Sequence, residues 1–335
     1  MKKIYVSIHF GSFISVLCFL IYYIDQNNSL DMDKTIVEQE YLNMNNIIFI
    51  ETNENKITLS SKVLCALESA ALNNPNSLIL LFASNVSILD SKIFQKYTNI
   101  QVKKLLIEDV FNGTALMEWW RKFKHQINEG LFKLAHISDA LRLALLLKYG
   151  GMYMDSDTIT IKNLDSLLEF PGLGAQTDKE LANGFLNFPK NHKFIRQVID
   201  EFSKSYTAGC WSCGGPVLIS KVFRDYCKSK NFIQTHQLTK DKIFNYTKNP
   251  ENKPKCEIFV YPIGYFYHLP YFQSHIIFEK NSSYNKQLFK DSYGIHIWNH
   301  LSSNFHARSG DGSIYEYYSK INCPYLYNLN PSVVF

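Results

Sequence analysis

The chain has 335 residues, 46% apolar and 15% aromatic, and its 35 Lys and Arg against 30 Asp and Glu give a formal net charge of +5. That apolar content can fill a core and excludes a disordered protein. The charge is mild and spread out, with no basic cluster interleaved with aromatics, so no nucleic-acid partner is expected.

Lys2 and Lys3 precede residues 4–24, IYVSIHFGSFISVLCFLIYYI, which contain no Asp, Glu, Lys or Arg. At 1.5 Å per residue, roughly 20 such residues cross a hydrocarbon core of about 30 Å. A cleaved signal peptide has a shorter apolar core and a small-x-small exit. Here the exit is YYIDQNN, with Tyr22 and Tyr23 at interface depth, so we read an uncleaved anchor. Positive charge before the span puts residues 1–3 in the cytoplasm as a tail and the remainder in the lumen, a single-pass type II arrangement. Residues 25–46 are polar and read as a stem, and 47–335 as one lumenal domain. Glycosylation sequons at Asn27, Asn85, Asn112, Asn245 and Asn281 agree with that side of the membrane. So do six cysteines beyond Cys18 of the span, namely Cys65, Cys210, Cys213, Cys227, Cys256 and Cys323, an even number that suits disulfides without fixing their pairing.

From residue 47 short apolar strands alternate with helical stretches. Strands are predicted at 47–50, 77–83 and 100–107, with a helix over 61–74 stopped by Pro75. Strand, helix, strand at this spacing predicts an α/β domain with a mostly parallel, Rossmann-like sheet flanked by helices. Residues 131–149 form the clearest helix, ended by Gly150 and Gly151, one of them in the left-handed C-cap conformation. GMYMDSD should then run as a strand into two aspartates. Further on, strands are predicted near 183–188, 257–269 and 293–298, and helices near 191–206 and 215–229.

If Asp155 and Asp157 end a strand, alternation turns both to one side, where two carboxylates can share a divalent cation. The carboxyl ends of parallel strands are where such sheets bind ligands. An EF-hand is excluded, because counting from Asp155 the sixth position is Thr160 and the twelfth Ser166. On the preceding helix Ser138, Asp139 and Arg142 share a face among leucines, which reads either as a functional group or as a partly buried salt bridge. CWSCGGP at 210–216 holds a CxxC but no second pair or histidines at zinc-finger spacing, so we read structural disulfide cysteines. GLGAQT at 172–177 fails as a dinucleotide fingerprint, with Thr177 in place of the third glycine. In YGIHIWNH, residues 293–300, alternation puts Gly294, His296 and Trp298 on one face. That pattern fits a half-buried pair or a ligand.

The stretch 138–164, SDALRLALLLKYGGMYMDSDTITIKNL, resembles the hallmark of the α1,4-galactosyltransferase and α1,4-N-acetylglucosaminyltransferase family. FIETNENK, CALESAALNNP, NGFLNFPKNHKFI, GGPVLISKVFRDYC, GIHIWN and the Cys323-Pro324 pair resemble its other segments, most like the lactosylceramide 4-α-galactosyltransferase branch and its arthropod relatives. The chain departs from that family in carrying Cys213. The resemblance implies a Golgi type II membrane enzyme of the GT-A fold. It would transfer galactose or N-acetylgalactosamine from a UDP-sugar, with retention, to a glycolipid or glycan acceptor in α1,4 linkage. It further implies that Asp155, Asp157 and His296 hold Mn²⁺ against the diphosphate. Asp139 and Arg142 would contact the ribose or donor sugar, with Glu51, Thr52 and Trp298 completing the donor site. The alternative is a catalytically silent lumenal carbohydrate- or metal-binding protein of the same fold.

Overall fold

A computed structural model describes residues 45–85, 87, 92–238, 256–281 and 286–329. The expected tail and anchor, and all but the last two residues of the expected stem, lie outside these. No helix among the described residues is long and apolar enough to cross a membrane.

The order is β1 (Asn46–Glu51), α1 (Ser61–Asn73), β2 (Leu78–Ala83), β3 (Ile100–Lys104), α2 (Ala115–Glu129), α3 (Lys133–Tyr149), β4 (Gly151–Met154), β5 (Thr158–Thr160), β6 (Gly172–Ala175), β7 (Leu181–Phe188), α4 (Lys193–Ser205), α5 (Pro216–Cys227), β8 (Phe259–Tyr261), β9 (Gly294–His296), α6 (Ile314–Asn322) and α7 (Pro324–Leu329), joined by shorter helical turns. Seven strands form one sheet in the order β3-β2-β1-β4-β7-β6-β8, and β5 pairs with β9 in a second. β7 is antiparallel to both its neighbours, and the other pairs in the large sheet are parallel. The mostly parallel α/β architecture is as expected.

The sheet is apolar on both sides because helices cover both sides. Ile48, Ile50, Leu80, Phe82, Tyr153 and Leu186 pack toward α3, α4 and α5. Ile47, Phe49, Ile79, Leu81, Met152 and Met154 pack toward α1. A third core under α6 holds Ile159, Ile295, Ile297, Phe289 and Tyr315. α3 is buried along nearly its whole length, from His136 to Leu147, which explains its leucine run.

Several elements depart from the sequence reading. The strand expected at 257–269 stops at Tyr261, since Pro262 lacks the N–H that a ladder needs and a helical turn follows. GLGA at 172–175 is a sheet strand. α2 escaped prediction, although Thr114 caps it by accepting from the Leu116 N–H, and it buries Leu116, Trp119, Trp120 and Ile127. Gly150 caps α3 with φ 71° and ψ −178°, a positive-φ conformation that suits glycine but lies outside the left-handed helical cap, and Gly151 follows at φ 99°. The six cysteines pair as Cys65–Cys323, Cys210–Cys213 and Cys227–Cys256.

Candidate active site

β4 ends at Met154, so Asp155 and Asp157 do not lie in the strand as expected. They occupy a tight connection between β4 and β5, and side-chain alternation is not what brings them together. The backbone does it instead. Asp155 N–H donates to the Gly184 carbonyl of β7 at 3.0 Å, and the Asp157 carbonyl accepts from Ile297 N–H just past β9 at 3.0 Å. The β5–β9 ladder sets Thr158 opposite His296.

These ties converge on one cluster. His296 Nε2 lies 3.2 Å from Asp157 Oδ1 and 3.6 Å from Asp155 Oδ2. One ligand atom from each of Asp155, Asp157 and His296 lies within 4.8 Å of the others. The carboxylates are its open side, with side chains 25% and 17% exposed against 7% for His296. Behind them the helix pair is buried more deeply than the sequence suggested. Arg142 NH1 reaches Asp155 Oδ1 at 3.0 Å and donates to the Asn183 carbonyl at 2.8 Å. NH2 lies 3.3 Å from Asp139 and donates to Ser138 Oγ at 3.1 Å, and Nε donates to the Ser138 carbonyl at 3.3 Å. Protein groups engage all three guanidinium nitrogens, and the plane lies over the Tyr153 ring at 4.6 Å.

The charges set one another. Burial alone would raise the Asp155 pKa, but the Arg142 guanidinium and His296 outweigh it and hold the carboxyl well below the usual range. For His296 burial lowers the pKa, yet Asp157 and Asp155 lift it to about 9. Desolvation raises Asp139 despite Arg142 and an Asn183 amide that donates at 2.7 Å. Two carboxylates and an imidazole with oxygen and nitrogen donors fit a divalent cation of the Mn²⁺ or Mg²⁺ kind.

Other residues complete the walls. Tyr153 donates to Asp155 Oδ1 at 2.6 Å, and Asn299 N–H donates to Asp157 Oδ2 at 2.7 Å. A Cβ on Gly184 would stand 2.5 Å from Asp155 Oδ2 and 2.7 Å from the Tyr267 hydroxyl, so only glycine leaves that space. Trp298 is not in a strand. It has φ 55° at the start of a helical turn, but its ring still meets the His296 ring at 4.5 Å and its indole N–H donates to the Leu269 carbonyl. Lys62 of α1 buries its ammonium against Asn299 Oδ1 and the carbonyls of Ser302 and Phe305, at 3.0–3.2 Å. Glu51 stands apart from this group. It sits at the carboxyl end of β1, paired with Lys56 at 2.7 Å and accepting from Asn53 N–H, and Thr52 follows it. Tyr153 was within reach of the sequence, two residues before Asp155. Asn183 and Gly184 open the segment NGFLNFPKNHKFI that resembles the family, but no role could be read for them there, and Tyr267 and Lys62 carried no signal, because distant segments deliver them.

Residues 60–172 match the family described as a glycosyltransferase sugar-binding region containing DXD motif, and residues 187–330 match the alpha 1,4-glycosyltransferase conserved region. Both are glycosyltransferase regions, and the chain is a glycosyltransferase. Lactosylceramide 4-alpha-galactosyltransferase of Rattus norvegicus is 28% identical over 83% of this chain and 74% of that one. Alpha-1,4-N-acetylglucosaminyltransferase of Homo sapiens is 26% identical over 84% and 79%. Among solved structures, PaToxG Glycosyltransferase aligns at a TM-score of 0.45 and 17% identity, over 69% of this chain and 86% of that one. The first family region ends shortly after the aspartate turn and the second contains His296, so the cluster joins the two.

Proposed function

We propose that this glycosyltransferase is divalent-metal dependent. In this reading it moves galactose or N-acetylgalactosamine from a UDP-sugar onto the non-reducing end of a glycolipid glycan, in α1,4 linkage with retention. The observation that carries the reading is the convergence of Asp155, Asp157 and His296 at the open end of the parallel sheet. Asp155, Asp157 and His296 would hold the ion, which when bound supplies a Lewis acid for the charge that develops on the diphosphate leaving group. Arg142 acts on the reaction through Asp155. It fixes the carboxylate's orientation from behind, and its positive charge keeps Asp155 ionised. Asn299 N–H likewise fixes the orientation of Asp157. Tyr267 and Trp298 wall His296 and keep water from that side. Asp139, buried beside Arg142, belongs with this supporting layer. Glu51 and Thr52, at the end of the neighbouring strand, would face the nucleotide.

We assign the chain to the Golgi membrane as a type II protein, supported by the charged-then-apolar N-terminus and by three disulfides that suit an oxidising lumen. The test is full-length protein in detergent with Mn²⁺ and a panel of UDP-galactose, UDP-N-acetylgalactosamine and UDP-N-acetylglucosamine, with and without a lactose-terminated glycolipid. UDP release that EDTA abolishes, and an α1,4-linked product, are expected. Turnover unaffected by EDTA would overturn the metal reading. No turnover of any donor would leave a silent binding protein.

A further inference from the structure

The loop between α4 and α5 is fixed more firmly than its length requires. The Cys210–Cys213 bond closes it. On α3, His136 sets Nε2 3.1 Å from the Cys210 carbonyl and Nδ1 2.9 Å from the Tyr206 hydroxyl. At its far end Gly214 and Gly215 press so close that a Cβ would stand 2.7 Å from the Phe202 ring and 2.8 Å from the Asn183 amide. That amide is the one that binds Asp139.

On this pinned loop Trp211 is 45% exposed, whereas Trp119 and Trp120 are 2% and 7% exposed. Its indole stacks on the His300 ring at 5.3 Å and an interplanar angle of 21°. His300 follows Asn299, the residue whose N–H holds Asp157. Thus the loop that packs against Asn183, the partner of Asp139, and the turn that holds Asp157 meet in this stack. A large apolar ring held rigid, backed on one face and open to solvent, contributes little to folding. It is the form of a preorganised contact for a ligand with an apolar face.

Position in the sheet narrows the ligand. β4, which delivers Asp155, lies between β1 and β7. The carboxyl ends of parallel β1 and β4 form the crevice in which such sheets take nucleotides. Trp211 lies on the opposite flank, beyond Asn183 of β7, and that flank remains for the second substrate. The C–H face of a hexose pyranose stacks on an indole much as an aromatic ring does. We propose that Trp211, backed by His300, is the platform for the non-reducing-end hexose of the acceptor. The proposal rests on the transfer reading above.

Initial rates of full-length protein in detergent, with varied lactose-terminated glycolipid and varied UDP-sugar, test it. Trp211→Ala should raise the acceptor KM about 10-fold, the scale of one aromatic contact, and leave the donor KM within twofold. Trp211→Phe should recover most of the loss, which a mere loop filler would not show. An unchanged acceptor KM overturns the proposal, and so does an equal rise in donor KM, which would put the indole on the uridine side. If the wild type turns over no donor, the transfer reading fails on its own evidence of UDP release. The platform is then judged by tryptophan fluorescence during titration with lactose. A saturable change that Trp211→Phe removes supports it, and no change in wild type overturns it.

Discussion

Asp155 and His296 face each other at 3.6 Å, yet the chain builds the two sides of the site by different means. Asp139 and Arg142 stand on α3, whose leucines belong to the largest core, and Asp155 directly follows β4, tied to that helix through Arg142. His296, Trp298 and Asn299 stand on a three-residue strand and a turn with a positive φ. What holds that second side is one face of α1. Lys62, Cys65 and Glu68 are spaced three apart and so lie along one line of the helix. Lys62 binds the 299–305 turn, Cys65 bonds to Cys323, and Glu68 accepts from Tyr325 and Leu326 N–H at 2.7 and 2.9 Å. A site side without long elements is positioned by cross-links to a helix that has them.

The sharpest way to separate the sides is through the two aspartates. Asp155→Asn and Asp157→Asn should each lower kcat/KM by about 10³-fold, since each removes a charge that would hold the cation. Their stabilities should differ. Asp155 is the partner of buried Arg142, and breaking such a pair costs about 3 kcal/mol or more, a fall of several degrees in Tm. Asp157 is the main partner of the buried His296 imidazolium, but that ring can shed its proton where Arg142 cannot, and Asn can still accept from the Asn299 N–H, so its Tm should fall less. Scanning calorimetry of the two variants checks this, and equal losses would erase the difference between the sides.

Next in size is the tie to the C-terminus. Replacing Cys65 and Cys323 together by Ser opens a link across 258 residues and should cost about 2–5 kcal/mol. Hydrogen exchange should show protection lost in β5, β9 and α6 while α3 and β4 keep theirs. Uniform loss across the domain would mean that the two sides fold as one unit.

How far the sequence foretold these sides follows the same division. α3 and the parallel strands announced themselves, because burial on all sides writes leucine, isoleucine and valine runs of distinct length. Asp139, Arg142, Asp155, Asp157 and His296 were also within reach, through their spacing and the family resemblance. The aspartates' turn was not, since no proline or glycine follows Met154 to mark where the strand ends, and Asp-Ser-Asp reads as its last residues. Nor was α2, whose polar face diluted its apolar stripe. The parts played by Lys62, and by Gly184 inside its family-like segment, were illegible for another reason. Their roles exist only once segments more than a hundred residues apart in sequence, or on different strands, are in contact, and no local pattern encodes that.

Gly184→Ala tests the regular side at a finer scale. The added methyl would sit 2.5 Å from Asp155 Oδ2, and Arg142 and Tyr153 hold that carboxylate where it is. Displacing it by a few tenths of an ångström should lower kcat/KM by about 10- to 100-fold, while far-ultraviolet circular dichroism stays unchanged. Wild-type activity would show that Asp155 yields freely and that the scaffold behind it is looser than its contacts imply.

The smallest effect, and the most specific to the second side, is a proton. With no metal bound, the two carboxylates raise His296 to about 9 against an ordinary 6.5, with burial opposing them, so the imidazolium supplies the cation that the cluster requires. A metal needs the neutral imidazole, so each ion bound below pH 9 should displace about one proton. Mn²⁺ affinity should therefore rise about 10-fold per pH unit between pH 6 and 8 and level off above 9. Calorimetric titrations in buffers of different ionisation enthalpy count that proton directly. The sign for stability is opposite. A folded pKa raised above the unfolded value stabilises fully below about 6.5 and loses that contribution as pH rises through 9. Metal-free protein should lose Tm over that window, whereas the metal-loaded protein should not. In His296→Gln both slopes should vanish and Mn²⁺ should bind more weakly at every pH. Proton release that persists in His296→Gln would assign the proton to another group and leave Asp155 and Asp157 as the ligands on their own.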